Sequence, residues 1–305
     1  MTVTTKDNLA QIVLCSDLGY NPNEEKTIVR PVTAAAWNKL EAKLTVLKYT
    51  PSIFLNETLS DIARELGLKA DEEQQIKKLL LRADRLGEEI ERLAEIKIFI
   101  TTRTSENYPT KLLRVMGKDA PIVLYLCGEM PLIEKQTTAI IGSRTATENE
   151  SEYAAKHARI SAQNGITVVS GGAKGIDTVA KESALKAGGN VVTFVSDSMT
   201  KYIQDNASYI LWDKMLVLSS FNPEASFKGY NALERNKYIY ASSDYAVVVS
   251  SGNGTGGSYK GAEYCLKNNL TKLYIKDDSE SPEGNKKLIA LGGLPVNEAH
   301  ERLGL

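Results

Sequence analysis

At 305 residues the chain is long enough for two domains of ordinary size. With 42% hydrophobic and 25% charged residues it has the composition of a soluble globular protein, and no run approaches the ~18–20 apolar residues a membrane-spanning helix needs. Net charge is −1, with 13 basic against 16 acidic residues through Glu95 and 24 against 22 beyond it, which excludes attraction of polyanions by a global field. A phosphate ligand would have to be held by local donors.

The start, Met1-Thr2-Val3-Thr4-Thr5-Lys6-Asp7, lacks the basic stretch and apolar run of a signal peptide. Cys15, Cys127 and Cys265 are odd in number and far apart, so they are expected to be small buried hydrophobes in a reducing cytoplasm. His157 and His300 are the only histidines, and neither stands at metal-ligand spacing from a cysteine. No metal and no cofactor are expected.

Residues 1–95 read as an all-helical N-terminal domain, SAM-like or accessory. Asn8 to Leu18 forms a short apolar helix, Pro31 opens another through Trp37 and Leu40, and Thr58 or Ser60 caps a third that stops at Gly67. From Asp71 to Glu95, Ile76, Leu79, Leu80, Ala83, Leu86, Ile90 and Leu93 recur at three- and four-residue steps, which predicts one long helix. Leu59 to Leu80 resembles a helix-turn-helix in spacing. Its second helix carries no base-reading set of Arg, Asn or Gln, so a packing or accessory bundle fits better.

Residues 96–305 change character. Short apolar runs are expected as strands at 98–101, 122–126, 138–142, 166–170, 191–195, 216–219, 245–250 and 273–275, with helices near 147–164, 175–187, 230–242 and 257–268. Most of the runs are apolar on both faces, as in a parallel sheet covered by helices, so the fold class is α/β, a Rossmann-like doubly wound, mostly parallel sheet. Asp277 to Asn285 reads as a short linker.

Ligands of such sheets bind beyond the carboxyl ends of the strands, where helix amides point outward. Gly142-Ser143-Arg144 follows one expected strand, Ser170-Gly171-Gly172-Ala173-Lys174-Gly175 a second, and Ser250 to Ser258, with Gly252, Gly254, Gly256 and Gly257, a third. Glycine admits close approach of a phosphate to main chain. Ser143, Ser170 and Ser258 add hydroxyls, and Arg144 and Lys174 add charge. A set of tight, ligand-free turns is the competing reading of any one of them. Neither G-x-G-x-x-G nor G-x-x-x-x-G-K-[ST] is completed, so dinucleotide and ATP-hydrolysing folds are not indicated. In Phe227-Lys228-Gly229-Tyr230-Asn231-Ala232-Leu233-Glu234-Arg235-Asn236-Lys237, aromatics interleave with cations, as single-strand binding requires. Read alone, the segment also admits an amphipathic helix with Tyr238 and Ile239 in the core and Arg235 and Lys237 solvated.

Taken together, these segments resemble the DprA/Smf family of DNA-processing proteins, in order over about residues 96–296. The resemblance rests on Asn107-Tyr108-Pro109, Ala120 to Tyr125, the G-S-R at 142–144, S-G-x-A-x-G-I-D at 170–177, R-N-K at 235–237, the turn at 250–258 and Glu283-Gly284-Asn285. It implies an extended Rossmann-like fold, a homodimer, binding of single-stranded DNA without catalysis, and loading of a RecA-type recombinase in transformation or recombination. By motif position the DNA or phosphate contacts would be Gly142, Ser143, Arg144, Ser170, Gly171, Gly172, Lys174, Gly175, Phe227, Arg235, Asn236, Lys237, Gly257 and Ser258, with Asp177 capping a helix or fixing a turn. The sequence departs from the family at Ala180-Lys181, where Ala-His is usual, and at Val195 to Met199, which lacks the usual glycine turn. No winged-helix tail is expected. Two alternatives belong to the same superfamily: a non-catalytic nucleotide sensor, possibly in phage defence, and a phosphoribohydrolase. The second would need a carboxylate three residues after Thr255, where Ser258 stands.

Overall fold

The structure is a computed structural model that describes residues 5–20, 29–56 and 58–296. Met1–Thr4 of the expected leaderless start and His300 lie outside the described residues. The chain divides into two compact units, the first formed by Met1–Tyr108, Gly117–Leu126 and Ser220–Asn222, the second by Pro109–Met116, Cys127–Ser219 and Pro223–Leu305.

Among the described residues the first unit carries six α-helices: α1 (Lys6–Cys15), α2 (Ala34–Val46), α3 (Ile53–Asn56), α4 (Leu59–Glu65), α5 (Ala70–Leu80) and α6 (Ala83–Glu95). Thr5 caps α1 by accepting from Asn8 N at its hydroxyl, and Asn8 Oδ1 in turn accepts from Thr5 N. Thr33, not Pro31, opens α2, because its hydroxyl accepts from Ala36 N. The expected helix from Asp71 to Glu95 is two. The break falls at Leu81–Arg82, where Leu81 turns out to solvent and Arg82 turns in, its Nη2 directed at the Ser16 carbonyl. Ile76 and Leu79 before the break and Leu86 and Leu93 after it all stay buried. A straight helix would place Arg82 by its phase alone; the interruption lets its guanidinium reach a buried carbonyl. Strands β1 (Phe99–Thr102) and β2 (Val123–Gly128) pair antiparallel, with Phe99 opposite Leu126. Asn8 Nδ2 ties α1 to β1 through Thr102 Oγ1 at 2.8 Å.

The second unit begins with α7 (Thr110–Met116) and then alternates: β3 (Thr137–Ile141), α8 (Glu148–Gln163), β4 (Thr167–Ser170), α9 (Ile176–Lys186), β5 (Val191–Phe194), α10 (Met199–Asp205), α11 (Ala207–Leu211), β6 (Met215–Ser219), α12 (Gly229–Ala241), β7 (Tyr245–Val248), α13 (Gly256–Asn268), β8 (Lys272–Lys276), α14 (Glu283–Ala290) and β9 (Leu294–Val296). Its strands run parallel in the order β6-β5-β4-β3-β7-β8-β9. Every residue of β3, β4, β5, β6 and β7 is buried, which is why the sequence there is apolar on both faces. The fold is mixed α/β, as expected. Asp277 to Asn285 is no linker. Ser281 and Asn285 are buried, and Asn285 Nδ2 donates to the carbonyls of Val249 (3.0 Å) and Lys276 (2.9 Å), clamping the ends of β7 and β8.

From β3 the chain winds outward through β4, β5 and β6 on one side, then crosses to β7, β8 and β9 on the other. The strand order therefore reverses between β3 and β7, and their carboxyl ends frame the crevice where such sheets bind ligands. At the opposite end of the same pair, Asp244 accepts from Lys111 Nζ (2.7 Å) and Thr137 N (2.8 Å). Although burial pushes its carboxyl up, these bonds win and hold it below the ordinary aspartate value. Its stabilisation is thus full above the unfolded-state value of about 3.9 and is lost as pH falls through the lower folded value. In urea titrations, the stability gap between wild type and Asp244→Asn should narrow as pH drops below about 4; a gap independent of pH would refute the assignment.

Candidate functional site

The turns that leave β3 and β7 are stitched together. Val249 N donates to Ile141 O (2.8 Å), Ser143 N to Ser250 Oγ (3.1 Å) and Ser258 Oγ to Gly142 O (2.6 Å). Behind them, a Cβ on Gly142 would overlap the side chain of Ile176 at the start of α9. Gly175, at φ +78°, lies so close to Ser143 that a Cβ would overlap its carbonyl oxygen. Glycine is required at both positions because the turns after β3 and β4 pack backbone to backbone.

This packing leaves two adjoining cavities at the carboxyl-end rim of the second unit. The first, of about 590 Å³, lies over the β3 and β7 ends among Ser143, Arg144, Gly256, Gly257 and the first turn of α12. The second, of about 540 Å³, lies over β4 and β5 among Gly171, Gly172, Lys174, Asp197, Lys201 and Tyr202. Arg144, Phe227 and Arg235 line both. Arg144 and Phe227 are exposed, and the guanidinium carbon sits 5.4 Å from the Phe227 ring centroid, a cation–π pair on the wall between the cavities.

Helix ends supply the donors. α9, α12 and α13 all start at this rim, and none has a side-chain cap on its first amides, whereas α8 is closed by Thr147 in a capping box with Glu150. An uncapped helix start presents free N–H groups and the positive end of the dipole. Neither α12 nor α13 carries an acidic residue in its first turn to neutralise that field. The rim can therefore hold anions through main chain as well as through Arg144, Lys174, Lys201, Lys228 and Lys260, all exposed.

The residues singled out in the sequence fall into four groups. Gly142, Ser143, Arg144, Gly171, Gly172, Lys174, Phe227, Asn236, Gly257 and Ser258 come together around the two cavities. Within that group Ser258 already spends its hydroxyl on Gly142 O, and Asn236 Nδ2 donates to Gly257 O at 3.1 Å. Ser170 and Gly175 stand behind the rim: Ser170 is fully buried, and Gly175 is the close-packed turn just described. Lys237 is on neither cavity; its Nζ is 2.6 Å from Glu234 and 4.7 Å from the Tyr264 ring centroid.

Arg235 lines the cavities from beneath. Its side chain is 5% exposed, its Nη1 donates to Phe194 O at 3.1 Å and stands 4.0 Å from Asp177 Oδ2, and its buried Nε has no hydrogen-bond partner among the described residues. A Cβ on Gly171 would overlap this guanidinium. Asp177 also accepts from Ala173 N at 3.3 Å, fixing the turn. Burial pushes its carboxyl up from the ordinary value, against the pull of Arg235 and of the Ala173 and Gly171 amides.

Two features escaped the sequence reading. Tyr202 and Lys201 come from α10, which a short, mostly polar run did not reveal, and Lys260 follows the glycine turn by only two residues of helix. The thiols of Cys127 and Cys265 are buried and pushed up to about 11, while Cys15 is half-buried. No helix among the described residues is long and apolar enough to cross a membrane.

The sequence profile of the DNA recombination-mediator protein A family matches residues 99–303, about two thirds of the chain. The chain belongs to this family. It is 27% identical over 222 residues to DNA processing protein DprA of Streptococcus pneumoniae, covering 70% of this chain and 74% of that one. Identity to Protein Smf of Escherichia coli is also 27%, over 205 residues that cover 65% of this chain and 54% of that one. The solved structure of the pneumococcal DprA superposes with a TM-score of 0.68 at 22% identity, over 89% of this chain and 97% of the other, which shows a shared fold. Helicobacter pylori DprA, whose structure was described for its mode of binding single-stranded DNA, gives 0.56 at 25% identity over 67% and 94%. The family match starts at Phe99, the first residue of β1.

Proposed function

We propose that this recombination-mediator family member binds single-stranded DNA along the carboxyl-end rim of its second unit, without catalysis, and hands that strand to a RecA-type recombinase. The observation that carries the reading is the pair of cavities sharing the Arg144–Phe227 wall, with the uncapped starts of α12 and α13 opening on the first. A single strand offers the two things this surface can hold. Its phosphates meet Arg144, Lys174 and helix amides, and its bases have π-faces for Phe227 and Tyr230, which are 54% and 67% exposed. Duplex DNA hides those faces. The rim holds no carboxylate three residues after Thr255, which removes the group a phosphoribohydrolase of this superfamily would use. Arg144, Lys174 and Phe227 are the direct contacts in this reading, with Gly142, Ser143, Gly171, Gly172 and Gly257 giving main-chain approach. Arg235, Ser170, Gly175, Asn236 and Ser258 shape the surface from behind.

The protein acts in the cytoplasm as a homodimer, two copies offering two strand paths to one recombinase filament, and the helical residues 1–95, joined to β1 in the first unit, serve as an accessory domain to the rest of the chain. The test is a gel-shift titration with oligo-dT beside thermal shifts with mononucleotides and cyclic nucleotides. Binding of the oligonucleotide with no nucleotide shift supports the reading; the reverse pattern makes the protein a nucleotide sensor. A recombinase-loading assay on strands coated with single-strand-binding protein tests the second half. Lys237→Glu, because its ammonium is already paired with Glu234 away from both cavities, should weaken oligo-dT binding by less than about threefold. A tenfold loss would place Lys237 on the strand path.

A further inference from the structure

Lys181 and the turn at Val195 to Met199, both singled out in the sequence, meet in the structure. The turn leads into α10: Ser198 adopts left-handed backbone at φ +46°, its amide donates to Ala225 O at 2.8 Å, and Thr200 N donates to Pro223 O at 3.2 Å. These bonds set the start of α10 and bring Tyr202 over the turn after β4. The ring lies so close that a Cβ on Gly172, at φ +66°, would fall 2.8 Å from Tyr202 Cε2 and 3.0 Å from Thr193 Cγ2. The phenol hydroxyl donates to Thr193 Oγ1 at 3.4 Å. Lys181, on α9, ties α10 down in this position. Its Nζ donates to Asn206 Oδ1 at 2.9 Å and stands 5.4 Å from the Tyr202 ring centroid, while Asn206 Nδ2 donates to Tyr202 O at 2.8 Å. Asn206 is buried, so loss of the ammonium removes a donor from a carbonyl oxygen that water does not readily reach. Lys181 is itself half-buried, and burial pulls its amine below the ordinary lysine value against the attraction of Glu182 and Asp205. It lines neither cavity, whereas Tyr202, Gly171, Gly172 and Ala173 line the second.

Resting on the single-strand reading above, we infer that Lys181 is a positioning residue for strand binding: through Tyr202 it braces the Gly171–Ala173 turn in the form that meets the strand, without touching the strand itself. Each part of the chain of contacts has its own task. The ammonium fixes the ring by a cation–π contact, the ring fills the space that a side chain at Gly172 would take, and the turn keeps the positive φ that glycine allows.

Oligo-dT binding to the full chain, followed by fluorescence anisotropy at several salt concentrations, tests the inference. Lys181→Met keeps the length of the side chain and removes its donor and charge. Its affinity should fall about fivefold, with the slope of log affinity against log salt unchanged. Lys181→Arg still donates to Asn206 and stacks on Tyr202, and should bind within about twofold of wild type. Lys181→Gln, shorter and uncharged, repeats the comparison and guards against misfolding of the methionine variant. In a Tyr202→Leu background, Lys181→Met should cost less than about 1.5-fold more, because the path through the ring is already gone. Hydrogen exchange at residues 171–174 of the free protein should be faster in Lys181→Met. Unaltered affinity in Lys181→Met would overturn the inference and leave Lys181 a tie between helices. A slope shallower by about 0.7 would overturn it by making Lys181 a direct phosphate contact, and so would an undiminished loss in the Tyr202→Leu background. If wild type does not bind oligo-dT, the single-strand reading fails and takes the positioning role with it, an outcome distinct from binding that Lys181→Met leaves unaltered.

Discussion

Arg144→Ala is expected to weaken binding of oligo-dT on the order of 10- to 100-fold at low salt, the cost of one charge-assisted contact in a partly enclosed site. The side chain is exposed, lines both cavities and rests on Phe227, so the loss removes a phosphate partner and frees the ring that would stack on a base. The slope of log affinity against log salt should become shallower by about 0.7, the counterion share of one phosphate on a single strand. Arg144 forms no structural ion pair with a neighbouring carboxylate among the described residues, so thermal stability should barely change. Fluorescence anisotropy at several salt concentrations reads both effects at once. Unaltered affinity with an unaltered slope would remove Arg144 from the interface.

A second large effect is expected on the fold. Gly175→Ala places a Cβ against Ser143 O at a residue with φ +78° and ψ −131°, a conformation that side chains other than glycine's scarcely adopt. The variant should lose about 3 kcal/mol, combining backbone strain with the displaced turn, and melt roughly 6–12 °C lower. Because the turns after β3 and β4 rest on each other here, oligo-dT affinity should fall together with stability. Gly87→Ala is the control. Gly87 lies exposed in α6, has open space around its Cβ position and keeps ordinary helical backbone, so alanine there should raise the melting temperature slightly. Equal melting of the Gly175 variant and wild type would show that the two turns can separate at little cost.

The parallel sheet was legible because β3 to β7 are buried on both faces and so read as unbroken apolar runs, those other than β5 leading into glycine or serine where the chain must turn. β9 was not, since Leu294-Pro295-Val296 is a three-residue edge with one buried side chain. The break between α5 and α6 was hidden because the apolar spacing continues across it; only the inward turn of Arg82, a tertiary preference, marks it. At the site, glycines stood out because they cluster in the turns, although what demands Gly142 and Gly175 is the packing of one turn on another. The roles of the charges were not legible, since a cation in sequence carries no sign of what faces it. Arg235 illustrates the point. It lies three residues after Ala232 and three and four before Tyr238 and Ile239, all buried, so helical phase alone puts it on the inner face with Asp177. That phase was the available signal. Lys237, on the outer side of the same helix, is satisfied by Glu234 and Tyr264.

The central claim, that the Arg144–Phe227 rim holds a single strand, is tested most directly by a salt titration of oligo-dT binding to the whole chain, alongside the same sequence as a duplex and a panel of mononucleotides. The account predicts saturable binding of the single strand, a steep linear fall of log affinity with log salt, and weaker binding of duplex and mononucleotide. Salt-independent binding, or a mononucleotide that binds as tightly as the strand, would contradict it.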